Sequence, residues 1–283
     1  MKINNIDLSK YRPIIEVFTS IEGEGITTGN PTLFVRLSGC NLRCCFDNSI
    51  CDTAYSSFNP EKGKYTYQSI IDEIEKYPLT KDISITGGEP FLYPNIVNDI
   101  IVIAKTYNKN VIVETNGTIA PCPKIIGDID LINISPKLKS SEPTEEKCAK
   151  LGMKMSCAMI NHSKNRWNID ALWDLLTYSQ DFRLKYVVGS KNDFEEIHQQ
   201  IKDLIDYDVY KRNRMKVPLY RNSNIVWEDD EFIQPLNIIL MPSGSTNEEL
   251  DQNRKMVAEY CAKNGFIYSD RLQIVIWGTE RYR

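Results

Sequence analysis

The strongest chemical signal in the sequence is a group of four cysteines within twelve residues: Cys40, Cys44, Cys45 and Cys51. Thiolates are soft ligands that suit iron–sulfur clusters and zinc. The four cysteines could instead be small buried side chains with no ligand, but the loop around them is polar and charged, which argues against burial. A zinc knuckle usually shows paired Cys-x2–4-Cys units, and no second pair follows nearby. Three thiolate ligands would leave one metal position open for chemistry.

Composition and charge narrow the function classes. The chain has 283 residues and a net charge of −4, so no basic surface suited to nucleic acid is expected. No apolar run approaches the roughly 20 residues of a membrane span, and the N-terminus lacks a signal-peptide segment. Eight cysteines in such a chain indicate a reducing cytoplasm, where thiols serve metals rather than disulfides. The four remaining cysteines are predicted to be packing residues: Cys122, Cys148, Cys157 and Cys261.

Histidine chemistry is limited, because the sequence contains only two histidines. His198 lies beside the apolar stripe of a helical segment and is predicted to be a surface or boundary residue. His162 falls in a polar stretch that is typical of a loop. A hydrolase built on a histidine base is therefore disfavoured.

Buried-strand patterns and amphipathic helical patterns alternate along the chain. Strands are predicted at 32–38, 82–86, 110–114, 130–134, 183–188 and 236–241, with a further extended piece at 12–18. Helices are predicted at 67–77, 95–106, 168–179 and 247–263. Repeated βα units favour an α/β fold, and six strands are too few for a closed eight-stranded barrel. We therefore predict one domain, 1–283, built as an open, partial β/α barrel of about six parallel strands, with 206–235 as an insertion or surface excursion.

Five of the predicted strands end in distinctive turns. The cysteine loop follows the first strand, and the other turns are 86–90, 114–117, 135–137 and 241–244. Ligands of βα folds bind at the carboxyl ends of the strands, so these turns are expected to share one rim. An acidic, glycine-framed loop at 19–25 is by itself more typical of a solvated turn.

These motifs together resemble the radical S-adenosylmethionine superfamily and, within it, the 7-carboxy-7-deazaguanine synthase family. The resemblance is carried by 16–25 (EVFTSIEGEG), 36–44 (RLSGCNLRC), 51–53 (CDT), 86–90 (TGGEP), 114–117 (ETNG), 135–137 (SPK) and 277–278 (WG). It covers roughly the first half of the chain and the last fifty residues. The resemblance implies a [4Fe-4S] cluster, S-adenosylmethionine and Mg²⁺.

The resemblance also implies a ligand set for the metals. Cys40, Cys44 and Cys51 would hold three irons of the cluster, and Thr53 would bind Mg²⁺. The last cysteine spacing is six residues, where the family has two, so Cys45 stays open as the second ligand. Cys44 is preferred because it keeps the family's x3 spacing.

Residues for the small molecules follow from the same resemblance. Those expected to line a pterin substrate are Ile21, Glu22, Gly23, Glu24, Arg36 and Thr86, with Glu24 and Arg36 also serving in catalysis. Those expected to contact S-adenosylmethionine are Gly88, Ser135, Pro136, Lys137, Met241, Pro242, Ser243 and Gly244. Glu22 stands where the family commonly has glutamine, which replaces a donor–acceptor amide by an acceptor-only carboxylate.

The implied reaction converts 6-carboxy-5,6,7,8-tetrahydropterin to 7-carboxy-7-deazaguanine, a step of queuosine biosynthesis, with loss of ammonia. A 5′-deoxyadenosyl radical would remove hydrogen from C6, and the ring would then contract. An electron donor such as flavodoxin and a homodimer are expected with it. Two alternatives stay open: a glycyl-radical activating enzyme, and a non-catalytic zinc or iron–sulfur binding protein.

Overall fold

Eight strands form one sheet whose spatial order follows the chain order. This computed structural model describes residue 3 and residues 6–215 and 232–282. The strands are β1 Ile14–Ile21, β2 Pro31–Leu37, β3 Asp82–Gly87, β4 Asn110–Thr115, β5 Leu131–Ile134, β6 Phe182–Val188, β7 Ile238–Pro242 and β8 Ile267–Tyr268. β1 pairs with β2 antiparallel, and each later neighbouring pair is parallel. The two end strands do not pair with each other among the described residues, so the barrel is open.

Helices follow most of the strands along the chain, and the longer ones cover the outer face of the sheet. They are α1 Ala54–Ser57, α2 Tyr67–Lys76, α3 Pro94–Thr106, α4 Pro123–Gly127, α5 Glu145–Lys150, α6 Cys157–Ile160, α7 His162–Asn165, α8 Ile169–Tyr178, α9 Asn192–Met215, α10 Asn247–Asn264 and α11 Leu272–Trp277. Helix α2 shows why these segments fold locally. Its N-cap is Thr66, whose hydroxyl accepts the backbone N–H of Ser69, and the helix buries Ile70, Ile71 and Ile74.

The alternation of side chains along each strand separates a packed face from a polar face. Val35, Ile85 and Leu184 belong to the hydrophobic core that the helices cover. Their neighbours in sequence point the other way, into the interior of the partial barrel. These inward positions include Arg36, Thr86, Glu114, Asn133 and Lys185. The packing of the core therefore forces a set of polar side chains onto the inner face.

The predicted elements agree with the structure to within one or two residues, and the α/β fold with an open sheet is confirmed. The extended piece at 12–18 is the start of the antiparallel strand β1, and the short strand β8 was not predicted. Of the predicted insertion 206–235, residues 206–215 complete helix α9, and 216–231 lie outside the described residues. No helix within the described ranges has the length and hydropathy needed to cross a membrane.

The structure corrects part of the cysteine prediction. Cys148 and Cys261 are buried, as packing residues should be. Cys122 and Cys157 are exposed, so the prediction that they are packing residues is wrong. Cys122 directly precedes α4 and Cys157 begins α6, and the side chains that these short helices bury are instead Ile125, Ile126 and Met159.

Candidate functional site

The inner face of the barrel carries a buried network of charges. Lys185 on β6 places its Nζ 2.6 Å from Glu114 Oε2 on β4 and 3.0 Å from Glu24 Oε2. The other oxygen of Glu24 accepts hydrogen bonds from Arg271 Nε at 3.0 Å and Gln273 Nε2 at 2.8 Å. Burial by itself would raise the pKa of Glu24, but Lys185 and Arg271 outweigh it and hold that pKa well below its usual range. Glu24 is therefore an ionised carboxylate with a fixed orientation.

Glu22 lies beside this network but takes no part in its ion pairs. Its Oε1 accepts the backbone N–H groups of Gly23 at 3.0 Å and Glu24 at 3.3 Å. Its Oε2 is buried and has no hydrogen-bond partner among the described residues. Burial, together with the charge of Glu114, raises the pKa of Glu22 to about 8, although Lys185 partly opposes the shift.

Three of the four loop cysteines share one electrostatic environment after β2. Burial is the largest cause that raises the pKa of Cys44, and the thiols of Cys40 and Cys51 add to it while Lys137 opposes it. Burial likewise raises the pKa of Cys40 to about 11, with Cys51 adding to the shift and Lys137 opposing it. With their pKa values raised, the thiols of Cys40 and Cys44 are protonated without a metal, and metal binding would displace their protons. Three thiols on one loop are, by their chemistry, a donor set that suits an iron–sulfur cluster.

Cys45 belongs to a different environment. Burial is the largest cause that raises the pKa of Cys45. The thiol of Cys148 adds to the shift, and the ammonium of Lys147 opposes it. Cys148 in turn lies 3.3 Å from the sulfur of Met155 and 4.0 Å from that of Met159. The side chain of Cys45 therefore lies beside Cys148 of helix α5.

The glycine-rich turn after β3 packs directly against the cysteine loop. A Cβ on Gly88 would overlap the carbonyl group of Gly39, so only glycine allows this approach. Glu89 donates its backbone N–H to the Gly39 carbonyl at 2.8 Å, and its carboxylate accepts from Thr115 Oγ1 and the N–H of Asn116, both at 2.8 Å. Burial raises the pKa of Glu89 to about 7, against these hydrogen bonds. Glu89, which follows β3, is thus hydrogen-bonded to the ends of both β2 and β4 next to the cysteine loop.

The remaining rim residues sit at the carboxyl ends of β5 and β7, as expected. Lys137 donates from Nζ to Ser135 Oγ at 2.7 Å, and Pro136 between them is buried. After β7, Met241 and Pro242 are buried, and Gly244 accepts a hydrogen bond from Arg271 Nη1 at 2.7 Å. Ser243 donates its N–H to the carbonyl of Val188 on β6. The predicted S-adenosylmethionine residues therefore share one rim with the cysteine loop.

Arg36 lies next to Thr86 in the register of β2 and β3, and opposite Glu16 in that of β1 and β2. Its Nε donates to Glu16 Oε2 at 2.6 Å, which the sequence did not predict. No described residue accepts a hydrogen bond from its two terminal nitrogens, so they are available to a ligand carboxylate. Glu16 also binds Arg281, with 2.6 Å between Oε1 and Nη2.

Thr53 contributes a single oxygen beside the cysteines. Its Oγ1 lies 3.3 Å from Cys51 Sγ, and its neighbour Asp52 pairs with Arg271. In the part of the chain that the structure describes, no three His, Cys, Asp or Glu side chains converge as ligands of one ion must, and this includes Cys40, Cys44 and Cys51. A Mg²⁺ at Thr53 would need most of its oxygen ligands from bound substrate and water.

Sequence reasoning missed several residues of this site. Lys185 and Arg271 were not predicted, because a lysine in a strand and an arginine in a loop have many surface explanations. His162, predicted to be in a loop, is buried in a short helix, and its Nδ1 accepts the backbone N–H of Arg43 at 3.1 Å. Side chains alternate between the two faces of a strand, and Lys185 falls at an inward-facing position of β6, which could have identified it.

An open β/α sheet with three thiols on the loop after its first parallel strand defines a radical S-adenosylmethionine protein. The family model described as the Radical SAM superfamily matches residues 34–152, which include all four loop cysteines. The chain is 34% identical over 268 residues to a 7-carboxy-7-deazaguanine synthase of Halobacterium salinarum, covering 94% of this chain and 90% of that protein. It therefore belongs to the 7-carboxy-7-deazaguanine synthase family.

Two further comparisons agree with this assignment. A 7-carboxy-7-deazaguanine synthase of Rhodopirellula baltica is 31% identical over 269 residues, covering 95% of this chain and 87% of that protein. The crystal structure of QueE from Escherichia coli aligns with a TM-score of 0.54 at 18% identity, covering 93% of this chain and 94% of that chain. At that identity the structural likeness supports the fold alone.

Proposed function

We propose that the protein converts 6-carboxy-5,6,7,8-tetrahydropterin to 7-carboxy-7-deazaguanine with release of ammonia. The observation that carries the proposal is family membership, at 34% identity over 94% of the chain. When bound, the cluster and S-adenosylmethionine supply the radical that removes hydrogen from C6 of the pterin. None of the relatives reported above is a glycyl-radical activating enzyme, and that alternative gains no support.

Cys40, Cys44 and Cys51 would hold the [4Fe-4S] cluster. Their common environment with Lys137 supports Cys44 over Cys45, whose side chain packs beside Cys148. S-adenosylmethionine would lie along the adjoining rim, against residues that follow β3, β5 and β7. Those residues are Gly88, Ser135, Pro136, Lys137, Met241, Pro242, Ser243 and Gly244.

The pterin would lie over the inner face, where the charges of the protein match its polar groups. The two terminal nitrogens of Arg36 suit a carboxylate, since a guanidinium binds such a group in a bidentate manner. The ionised Glu24 would accept hydrogen bonds from ring N–H groups, with Ile21, Glu22, Gly23 and Thr86 enclosing the ring. Lys185 and Arg271 keep Glu24 in place and so reduce the cost of positioning the substrate.

An anaerobic turnover assay tests this function. The reconstituted protein, a strong reductant, S-adenosylmethionine, Mg²⁺ and the carboxytetrahydropterin should yield 7-carboxy-7-deazaguanine and ammonia in equal amounts by mass spectrometry and ammonia assay. The Cys40→Ala protein is the control without a complete cluster. Cleavage of S-adenosylmethionine with no deazaguanine product would contradict the proposal.

Mg²⁺ at Thr53 is a separate proposal. Omission of Mg²⁺ and the Thr53→Ala change should each raise KM for the pterin, because Mg²⁺ would bind its carboxylate oxygens. Removal of Mg²⁺ should then have little further effect on Thr53→Ala. Equal Mg²⁺ dependence of the parent and the variant would place the ion elsewhere.

A flavodoxin-type electron donor, a homodimer and a cytoplasmic location complete the proposal and rest on the family resemblance. Reduced flavodoxin should replace the chemical reductant in the assay. Sedimentation at micromolar concentration should give twice the mass of the chain, and a monomer there would contradict the dimer.

A further inference from the structure

Glu22 lies beside the inner-face network, and among the described residues no cation forms an ion pair with it. The hydrogen bonds of Lys185 go to Glu24 and Glu114, and Arg271 binds Glu24 and Asp52. Glu22 is nonetheless buried, with 6% of its surface exposed. A buried carboxylate without a counter-charge is costly, and such a group takes up a proton instead.

The two oxygens of Glu22 are chemically distinct. Oε1 accepts two backbone N–H groups, which is the role of a carbonyl oxygen. Oε2 is buried with no partner among the described residues, so it is the oxygen that would carry the proton. In the same orientation, the amide of a glutamine would place its NH₂ group at the position of Oε2.

The backbone at this point leaves Glu22 little freedom to find another partner. Glu22 donates its N–H to Asn30 O at 2.8 Å and accepts from the N–H of Gly29 at 2.7 Å. Gly23 accepts the N–H of Leu272 at 2.9 Å, and a Cβ on Gly23 would overlap the side chain of Gln273. The backbone of the loop is therefore held from both sides, which limits the positions that Oε2 can reach.

We propose that Glu22 is a specificity-determining residue that remains a neutral carboxylic acid and donates its Oε2 proton to an acceptor atom of the pterin pyrimidine ring. This inference rests on the proposed function. The neutral acid donates a hydrogen bond where the family's glutamine would donate one from its amide. Substrate binding therefore keeps the same hydrogen-bond pattern but becomes dependent on pH.

Burial is the largest cause of the raised pKa of Glu22, and the charged groups that face it adjust the pH at which the donor is lost. They are Glu24 on the same loop, Glu114 on β4 and Lys185 on β6. The two carboxylates disfavour ionisation of Glu22, and the ammonium favours it. With the pKa near 8, the proton is present at neutral pH and is lost as the pH rises above 8.

A stability measurement tests the neutral acid without any need for turnover. In the unfolded chain Glu22 ionises near pH 4.5, and in the folded chain near pH 8, so its ionisation opposes folding between these values. The melting temperature of the cluster-loaded Glu22→Gln protein, relative to the parent, should therefore rise from pH 5 to pH 8. The matched control Glu24→Gln removes an ionised, paired carboxylate and should lower the melting temperature at pH 8. A Glu22→Gln difference that does not change with pH would overturn the neutral acid.

A kinetic measurement tests the donor role. Glu22→Ala should raise KM for the carboxytetrahydropterin roughly three- to tenfold, the worth of one neutral hydrogen bond, and Glu22→Gln should restore most of the loss. Above pH 8 the kcat/KM of the parent should fall, and Glu22→Gln should lack that decline. A glutamine variant as impaired as the alanine variant, or one with the same decline, would overturn the donor role. If the parent itself gives no product at any pH, the proposed function fails, while the stability result still decides the protonation state.

Discussion

The imidazole of His162 accepts a hydrogen bond from the backbone N–H of Arg43, with 3.1 Å between Nδ1 and N. Burial lowers the pKa of His162 to about 4, so the ring is neutral and Nδ1 can accept. The other nitrogen, Nε2, lies 3.3 Å from Ser141 Oγ and carries the proton, and Ser141 donates to the carbonyl of Leu138. This chain of hydrogen bonds joins the cysteine loop to the segment after β5.

Loss of that acceptor should weaken the cysteine loop. His162→Leu leaves the backbone N–H of Arg43 without its acceptor, which should cost about 1–3 kcal/mol. Arg43 lies between Cys40 and Cys44 in the chain, so the loss falls on the segment that carries these two cysteines. We expect less iron per chain after reconstitution and faster loss of iron to a chelator, followed by absorbance. The matched control is His198→Gln, since the only other histidine is exposed and lies far along the chain on α9. Equal iron content and equal rates in His162→Leu and the parent would contradict this role.

Single replacement of the loop cysteines should separate the cluster ligands from the packing thiol. Cys44→Ala should abolish full cluster loading, and so should Cys40→Ala and Cys51→Ala, because each removes one of only three thiolates. Cys45→Ala should retain the brown cluster, since that side chain faces Cys148. Iron analysis and the visible absorbance spectrum provide the readout. A brown Cys44→Ala protein beside a colourless Cys45→Ala protein would reverse the assignment.

Arg36→Lys should impair substrate use more than a charge-conserving change suggests. While it pairs with Glu16, lysine lacks the planar fork by which arginine presents two parallel N–H groups to a carboxylate. Losing one charge-assisted hydrogen bond of about 1.5–3 kcal/mol should lower kcat/KM roughly ten- to a hundredfold. Iron content and uncoupled cleavage of S-adenosylmethionine should be retained. Arg254→Lys, which changes an arginine of helix α10 that pairs with Asp270, is the control. Parent-level turnover by Arg36→Lys would show that the substrate carboxylate binds elsewhere.

Removal of the buried lysine should destabilise the fold. Lys185→Met leaves Glu24 and Glu114 as buried carboxylates without their shared cation, a loss of about 3–5 kcal/mol in the free energy of unfolding at pH 7. Without the cation the pKa of Glu24 rises, so protonation should relieve part of the deficit at pH 5. Urea unfolding at both pH values measures this change.

The control for this variant is Lys105→Met, which removes a half-exposed pair with Asp130 and should cost less than about 1 kcal/mol. Similar losses in the two variants, or a Lys185→Met deficit that does not depend on pH, would contradict the account of the buried network.

Local rules were sufficient to predict most of the secondary structure. Apolar residues at helical spacing predicted α2, α3, α8 and α10, and continuous apolar runs predicted the six longer parallel strands. The short strand β8 has two residues, and its pairing to β7 depends on contacts far apart in the chain, so no local pattern could predict it.

The sequence by itself determined the fold class, the rim on which the site lies and the family, because strand periodicity and cysteine spacing are local properties. Only the tertiary structure decided which side chains meet. Lys185 binds Glu24 across 161 positions, and Arg43 binds His162 across 119. Both contacts join groups from different parts of the chain, and the sign and size of their electrostatic effects depend on burial. The same holds for Glu22, whose raised pKa follows first from its burial and then from the carboxylates beside it, while the nearby cation pairs with those neighbours.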